Sequence, residues 1–229
     1  MSATAQLILV AGGMGTRLGS DLPKALVPIC GVPIFVRSLR AFEMAELADN
    51  AIVVYPVGHE SSFRAALDEC FPDGTINLIA GGEERYDSVR NGLAGLNGST
   101  EIVLIHDAAR PFVQGEIIAR AVDAAVECGA ATVATPCTDT ILQGDSDGDL
   151  DSTPDRSLLW ACQTPQVFRR AVIEDSYRGE IPETLTDDAT LVRGSGHRVR
   201  IVAGPDTNIK ITTRQDLEYA RFMIDEGLV

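Results

Sequence analysis

Short apolar runs alternate with longer stretches in which apolar positions recur every three or four residues, from Gln6 almost to the end of the chain. Runs of the first kind fit strands, and those of the second fit amphipathic helices. The pattern predicts strands at 6–10 (QLILV), 51–55, 76–80, 101–107, 131–136, 198–203 and 208–212. It predicts helices near 33–44, 61–71, 88–96, 114–128, 169–178, 187–194 and 214–225, with Pro33 tolerated in a first turn. Strands separated by helices argue for an α/β fold, a Rossmann-like, mainly parallel sheet flanked by helices, in one domain over residues 1–229. One stretch breaks the alternation. Residues 138–160, TDTILQGDSDGDLDSTPDRSLLW, hold two strand candidates, DTILQ and SLLW, around an acidic turn rich in Gly and Ser. They predict a projecting β-hairpin arm, which is marginal alone in water and so needs its apolar ends covered. Two copies exchanging arms about a twofold axis would satisfy both at once.

Ligands of open α/β sheets gather beyond the carboxyl ends of the strands. Three predicted loops lie there, at 11–24, 81–88 and 107–112. The first opens AGGMGTR, with Gly12, Gly13 and Gly15 in immediate succession to the strand. Such glycines admit positive φ and leave backbone N–H groups bare, a natural cradle for phosphate oxygens. Arg17 and Lys24 follow, two cations able to face the anion that the loop holds. No Gly-Lys-Ser/Thr closes the loop as in a P-loop, and Leu18 stands where a dinucleotide fingerprint has its third glycine. A tight strand-to-helix turn with solvated cations is the plainer alternative.

Composition narrows the classes. The chain has 229 residues, 45% of them hydrophobic, and a formal net charge of −14. That charge argues against a basic face for nucleic acid or an anionic membrane, whereas a phosphate site needs only local cations. No apolar run approaches the ~20 residues that span a bilayer, and the N-terminus lacks the basic region of a signal peptide. Five cysteines without a C-x-x-C pair, and His59, His106 and His197 without H-E-x-x-H spacing, predict a reduced, cytoplasmic protein with no disulfide framework or zinc site.

Further segments sharpen the picture: Pro23-Lys24, GGEERYDSV (81–89), HDAARPF (106–112), DRSLLWACQTPQVF (155–168), TDDATLV (186–192) and NIKITT (208–213). In this order, and with AGGMGTR, they resemble the 2-C-methyl-D-erythritol 4-phosphate cytidylyltransferases of the non-mevalonate isoprenoid route. Ribitol-5-phosphate cytidylyltransferases share the loop and the QTPQ but match less well around Arg156 and TDDA. A catalytically inactive nucleotide-binding relative is a further alternative, which intact Arg17, Lys24, Arg156 and Lys210 argue against. An NAD-binding dehydrogenase module is disfavoured by the broken fingerprint.

The resemblance implies a role for each matching position. Ala11, Gly12, Gly13 and Gly15 would hold the nucleotide, with Arg17 and Lys24 on its triphosphate. Gly82, Glu83 and Ser88 would read cytosine, although Glu83 stands where the family often has Asp, and Thr16 stands where relatives often have a basic residue. Asp107, Ala108, Arg110, Thr140, Thr164 and Thr186 match the substrate side. Arg156, delivered by the neighbouring subunit's arm, and Lys210 would position the acceptor phosphate. Mg²⁺ would bridge phosphate oxygens, with Asp107 the candidate protein neighbour. The implied partners are CTP, a polyol phosphate and a second copy of the chain. The implied chemistry is in-line attack by the acceptor phosphate on the α-phosphorus of CTP, with pyrophosphate leaving. Taken singly, Arg110 could cap a helix, Lys210 could guard a strand edge and Asp107 could be a turn residue.

Overall fold

The computed structural model describes residues 4–15, 18–19, 22–47, 50–72, 74–182 and 185–229. The first half runs β1 (Ala5–Val10), β2 (Pro28–Ile29), β3 (Val32–Pro33), α1 (Ile34–Glu43), β4 (Ile52–Tyr55), α2 (Glu60–Cys70), β5 (Asn77–Ala80), α3 (Arg85–Ala94) and β6 (Ile102–Asp107). The second half runs α4 (Gly115–Cys128), β7 (Ala130–Pro136), β8 (Gln143–Gly144), β9 (Leu150–Ser152), β10 (Trp160–Arg169), α5 (Arg170–Arg178), α6 (Asp188–Gly194), β11 (Arg200–Ala203) and α7 (Arg214–Asp225). Among the described residues, seven strands join in one sheet of order β11-β7-β10-β6-β1-β4-β5. Neighbouring pairs are parallel except where β10 runs antiparallel between β6 and β7.

Alternation along β1 explains why this sheet is covered on both faces. Leu7 and Leu9 point to one side, into a core shared with Phe35 and Phe42 of α1, Phe63 of α2 and Ile118 of α4. Ile8 points to the other, against Val54, Ile105, Val89 of α3 and Ile173 of α5. A strand buried on both faces reads as a continuous apolar run, as AQLILV does. On the α3 side the approach is close: a β-carbon on Gly92 would lie 2.6 Å from Ile8 Cγ2 and 3.3 Å from Val54 Cγ2. A third cluster seats α7 through Leu217, Ala220 and Met223 against Ile29, Ile34 and Phe112.

Most predicted elements appear where expected, with four corrections. Residues 208–212 do not form a strand; they are a loop that joins no ladder. Strand β10 was not anticipated, because Pro165 argues against a central strand; the β10–β7 register shifts between Cys162 and Gln166, the irregularity that accommodates it. Pro33 ends the small β2–β3 hairpin and precedes α1 instead of opening it. In the arm, DTILQ contributes only Gln143 to a ladder, with Gly144, against Leu150–Ser152. SLLW is a 3-10 turn, Arg156–Leu158, that runs into β10. Local polar bonds explain both outcomes. The Asp145 carboxylate accepts the N–H groups of Asp147 and Asp149 at 2.9 Å each, and Asp155 accepts Ser157 N–H at 3.0 Å and Ser157 Oγ–H at 2.8 Å. These short carboxylate-to-backbone bonds favour turns over extended chain. Every residue from Thr138 to Thr153 is exposed. No helix among the described residues is long and apolar enough to cross a membrane.

The tight α3–sheet contact generates a prediction. Gly92→Val should destabilise the protein by ~2 kcal/mol or more, since Ile8 and Val54 are fully buried and cannot yield. A lowered urea midpoint at constant m would agree; a midpoint within error of the parent would mean that the contact relaxes.

Candidate active site

Strands β1 and β6 are parallel neighbours that end side by side, Val10 opposite Asp107. Their hydrogen bonding continues one residue further: Ala11 N–H donates to Val54 O at 2.8 Å and Ala108 N–H to Val10 O at 3.0 Å. The buried Ser38 hydroxyl holds Ala108 O at 2.8 Å. The floor beyond the strands is therefore rigid backbone. Gly15 turns the loop at φ +73°, and a β-carbon there would lie 3.0 Å from the Lys24 backbone. Only glycine tolerates both conditions. Lys24 N–H closes the loop on Gly13 O at 3.0 Å. The Lys24 side chain then lies over the glycines, with Nζ 3.9 Å from where a Gly13 β-carbon would be.

Facing this cradle is the turn before α3. Gly82 N–H donates to Ser88 Oγ at 3.1 Å and Glu84 N–H to Asp87 Oδ2 at 3.3 Å, which fixes the turn from within. Ser88 is buried and Glu83 exposed. Between the two walls lies an open cleft with about 730 Å³ of empty space, lined by Ala11, Gly12, Gly13, Lys24, Gly82, Glu83, Arg85, Ser88, Asp107, Ala108 and Lys210 among others.

Asp107 is the charge centre of the cleft and is 8% exposed. Lys210 Nζ lies 2.7 Å from its Oδ2 and Arg85 Nε 3.4 Å from its Oδ1. Burial by itself pushes a carboxyl pKa up; here the charges of Arg85, Lys210 and Arg110 outweigh it and hold Asp107 well below the usual carboxylate range. Arg85 is doubly paired, its Nη1 lying 2.8 Å from Oδ2 of Asp188. Burial opposes its charge, and the two carboxylates, Asp188 foremost, raise its pKa despite that.

Lys210 reaches Asp107 from the loop that was expected to be a strand. That loop is strapped to the β6 end by other means. Ile211 N–H donates to Ala109 O at 2.8 Å. Arg110 Nη1 donates to Asn208 O at 2.8 Å and its Nη2 to Cys162 O at 3.0 Å. The buried Asn208 amide donates to Gln163 Oε1 and Thr164 O, at 3.0 Å each.

The expected site residues therefore divide into groups. Ala11, Gly12, Gly13, Lys24, Gly82, Glu83, Ser88, Asp107, Ala108 and Lys210 line one cleft, and Gly15 shapes its loop. Arg110 and Thr164 brace the cleft from outside its lining: the Arg110 guanidinium is engaged by carbonyls, and Thr164 is 5% exposed with its hydroxyl bonded to Asp107 N–H at 3.1 Å and His106 Nδ1 at 3.0 Å. Thr140 and Arg156 stand on the arm, where Arg156 Nη1 donates to Thr138 O at 2.6 Å. Thr186 is exposed before α6, its hydroxyl 3.3 Å from Asp187 Oδ2. Arg17 and Thr16 lie outside the described residues. As for Mg²⁺ at Asp107, both carboxylate oxygens face cations, and no group of three or more His, Cys, Asp or Glu among the described residues could hold a metal ion. The described residues therefore offer an ion no cage of their own.

Comparison with known proteins decides what kind of cleft this is. Residues 5–226 match the family model of IspD, 2-C-methyl-D-erythritol 4-phosphate cytidylyltransferase. The chain belongs to that family. The 2-C-methyl-D-erythritol 4-phosphate cytidylyltransferase of Syntrophus aciditrophicus is 40% identical over 227 residues, 97% of each chain. The solved 4-diphosphocytidyl-2C-methyl-D-erythritol synthase of Anaerococcus prevotii superposes with a TM-score of 0.85 at 28% identity, over 97% of this chain and 99% of that one. The Thermus thermophilus cytidylyltransferase does so with a TM-score of 0.76 at 29% identity, over 98% and 100%. The activity is accordingly transfer of the cytidylyl group of CTP to 2-C-methyl-D-erythritol 4-phosphate.

Against this family background, three residues at or beneath the cleft escaped the sequence reading. Arg85 and Asp188 sit inside quoted segments, EERYD and TDDA, but their pairing is a contact between residues remote in the chain. His106 is the third: its ring is fully buried, edge-on to Phe42 with centroids 4.9 Å apart. Nε2 faces Arg110 O at 3.0 Å and must donate to it, so Nδ1 is left to accept from Thr164. Burial pushes this imidazole down to about 4.

That shift generates a second prediction. An unfolded histidine titrates near 6.5. As pH falls through that value, the unfolded chain takes up a proton that the native protein refuses until about 4. Stability from His106 is thus full above pH 6.5 and declines as pH falls toward 4, by about 3 kcal/mol in total. His106→Gln should flatten this part of the profile. Urea midpoints at pH 7 and pH 5 measure it; an unchanged pH 5 deficit in the variant would assign the loss to other groups.

Proposed function

We propose that this cleft transfers the cytidylyl group with the glycine loop and Lys24 on the triphosphate of CTP, the 82–88 turn on the base, and Lys210 on the acceptor phosphate. The observation that carries this reading is the convergence of Lys24, Lys210 and bare glycine backbone on one cleft at the ends of β1 and β6. The nucleophile, a phosphate oxygen of the acceptor, is already anionic at neutral pH, so no general base is required. The barrier is alignment of two anions and the charge that builds up on the leaving pyrophosphate. Fixed cations and backbone N–H groups on a rigid floor supply both without reorganising. His106, buried and neutral, takes no part. Further charge neutralisation would come from Mg²⁺ if it is bound, and Arg17 is assigned to the triphosphate on resemblance alone.

The acceptor side is incomplete in one chain, which supports a homodimer. Arg156 stands on an arm whose apolar residues Leu142, Leu150 and Leu158 are 61%, 64% and 76% exposed. A second copy covering them would bring the partner subunit's Arg156 beside Lys210. Five unpaired cysteines support a reducing, cytoplasmic setting.

Lys24→Ala should lower kcat/KM by ~100-fold or more, and a near-parental value would remove Lys24 from the mechanism. Arg156→Ala should be similarly impaired. Mixing the two variants under conditions of subunit exchange should restore about a quarter of parental activity per dimer, since half the dimers are mixed and each has one complete site. Demonstrated exchange without recovery would mean that Arg156 serves its own subunit.

A further inference from the structure

From the lining of the cleft a line of alternating charge runs inward, to residues that the reaction does not touch. From Lys210 it passes to Asp107 (2.7 Å), to Arg85 (3.4 Å), to Asp188 (2.8 Å) and to the Tyr177 hydroxyl, which donates to Asp188 Oδ1 at 2.5 Å. The far end is the more deeply buried: Asp188 is 0% exposed and Tyr177 9%. Asp188 is also fixed through its backbone. Gln166, in the centre of β10, accepts the N–H groups of Asp188 and Ala189 at 3.0 Å each, so the first residue of α6 cannot drift from the sheet.

A buried carboxylate–guanidinium pair is a weak source of stability, since apolar side chains of similar size commonly serve as well or better. What such a pair does provide is direction. Arg85 meets Asp107 through Nε while Asp188 holds its Nη1, and Asp107 in turn pairs with the half-exposed Lys210. Arg85 belongs to the base-reading turn, but the backbone of that turn has bonds of its own, Ser88 on Gly82 and Asp87 on Glu84, so its shape does not rest on Asp188 alone.

We infer that Asp188 and Tyr177, neither of them in the lining of the cleft, are positioning residues for the acceptor end of the site: they hold Arg85 against Asp107 and thereby aim the Lys210 ammonium. The inference rests on the reading above that Lys210 meets the acceptor phosphate. It assigns a kinetic signature to residues that touch no substrate. Loosening the line at Asp188 or Tyr177 impairs capture of the polyol phosphate and leaves capture of CTP alone.

The test is a pair of double-mutant cycles in the full chain, read by pyrophosphate release with each substrate varied in turn. Asp188→Asn keeps the shape and removes the charge. Tyr177→Phe removes one hydroxyl and keeps the packed ring, so it reports even if the asparagine variant fails to fold. Each should raise KM for 2-C-methyl-D-erythritol 4-phosphate by roughly 5-fold to 10-fold with KM for CTP within about twofold of the parent. In a Lys210→Ala background the same changes should add less than about twofold, because the group they aim is gone. Full effects persisting in that background, equal rises in both KM values, or parental kinetics in the single variants would overturn the inference. A Lys210→Ala enzyme with parental KM for the acceptor is a different failure: it removes Lys210 from the acceptor site and this inference with it.

Discussion

A carboxylate with almost no access to water sits at the end of a central strand, and the site is built around keeping it charged. Burying an unpaired carboxylate is so unfavourable that the group would otherwise take up a proton. Asp107 escapes that fate through Lys210 and Arg85, one from the loop before α7 and the other from the start of α3. Each cation carries its own supports. Lys210 depends on a loop strapped down by Arg110, Asn208 and Ile211. Arg85 depends on Asp188, which depends on Gln166. One charge at Val10's neighbour thus couples β6, α3, β10, α6 and the loop before α7.

The sheet was legible because burial on both faces leaves a plain mark. Runs such as AQLILV and IVLIHD have no solvent side, so they are continuously apolar from Leu7 to Val10 and from Ile102 to Ile105. The glycine loop was legible for the opposite reason: three glycines after a strand have no packing purpose. What was not legible depended on partners distant in the chain. CQTPQVF carries polar residues at 163, 164 and 166 that look like loop, yet each is buried and bonded to a residue far away in sequence. NIKIT has the alternation of a strand, but its backbone bonds are those of a loop: Asn208 N–H meets Pro205 O, Ile211 N–H meets Ala109 O and Thr212 N–H meets Asp216 Oδ2.

Site chemistry divides along the same line. Lys24, Asp107 and Lys210 could be nominated singly by resemblance, and the fold brings them to one cleft. Arg110 and Thr164 could be nominated too, but local sequence carries no sign that their polar groups face carbonyls, a ring nitrogen and a backbone N–H beneath the cleft. Arg85 had a signal, a cation in the loop that faces the glycines; its two carboxylate partners, 22 and 103 positions away, were invisible. The arm is the inverse case. Its apolar residues are plain in the sequence, and the single chain leaves them exposed.

On the proposed reading, a cleft with two lysines over a rigid glycine floor serves one acceptor anion attacking CTP. Pyrophosphate release is the most direct measurement of that claim, with CTP alone, with CTP and ribitol 5-phosphate, and with CTP and 2-C-methyl-D-erythritol 4-phosphate. Negligible release is expected without acceptor, and a kcat/KM for the methylerythritol phosphate far above that for the ribitol phosphate. Equal turnover of the two acceptors, a preference for ribitol 5-phosphate, or release independent of any acceptor would contradict it.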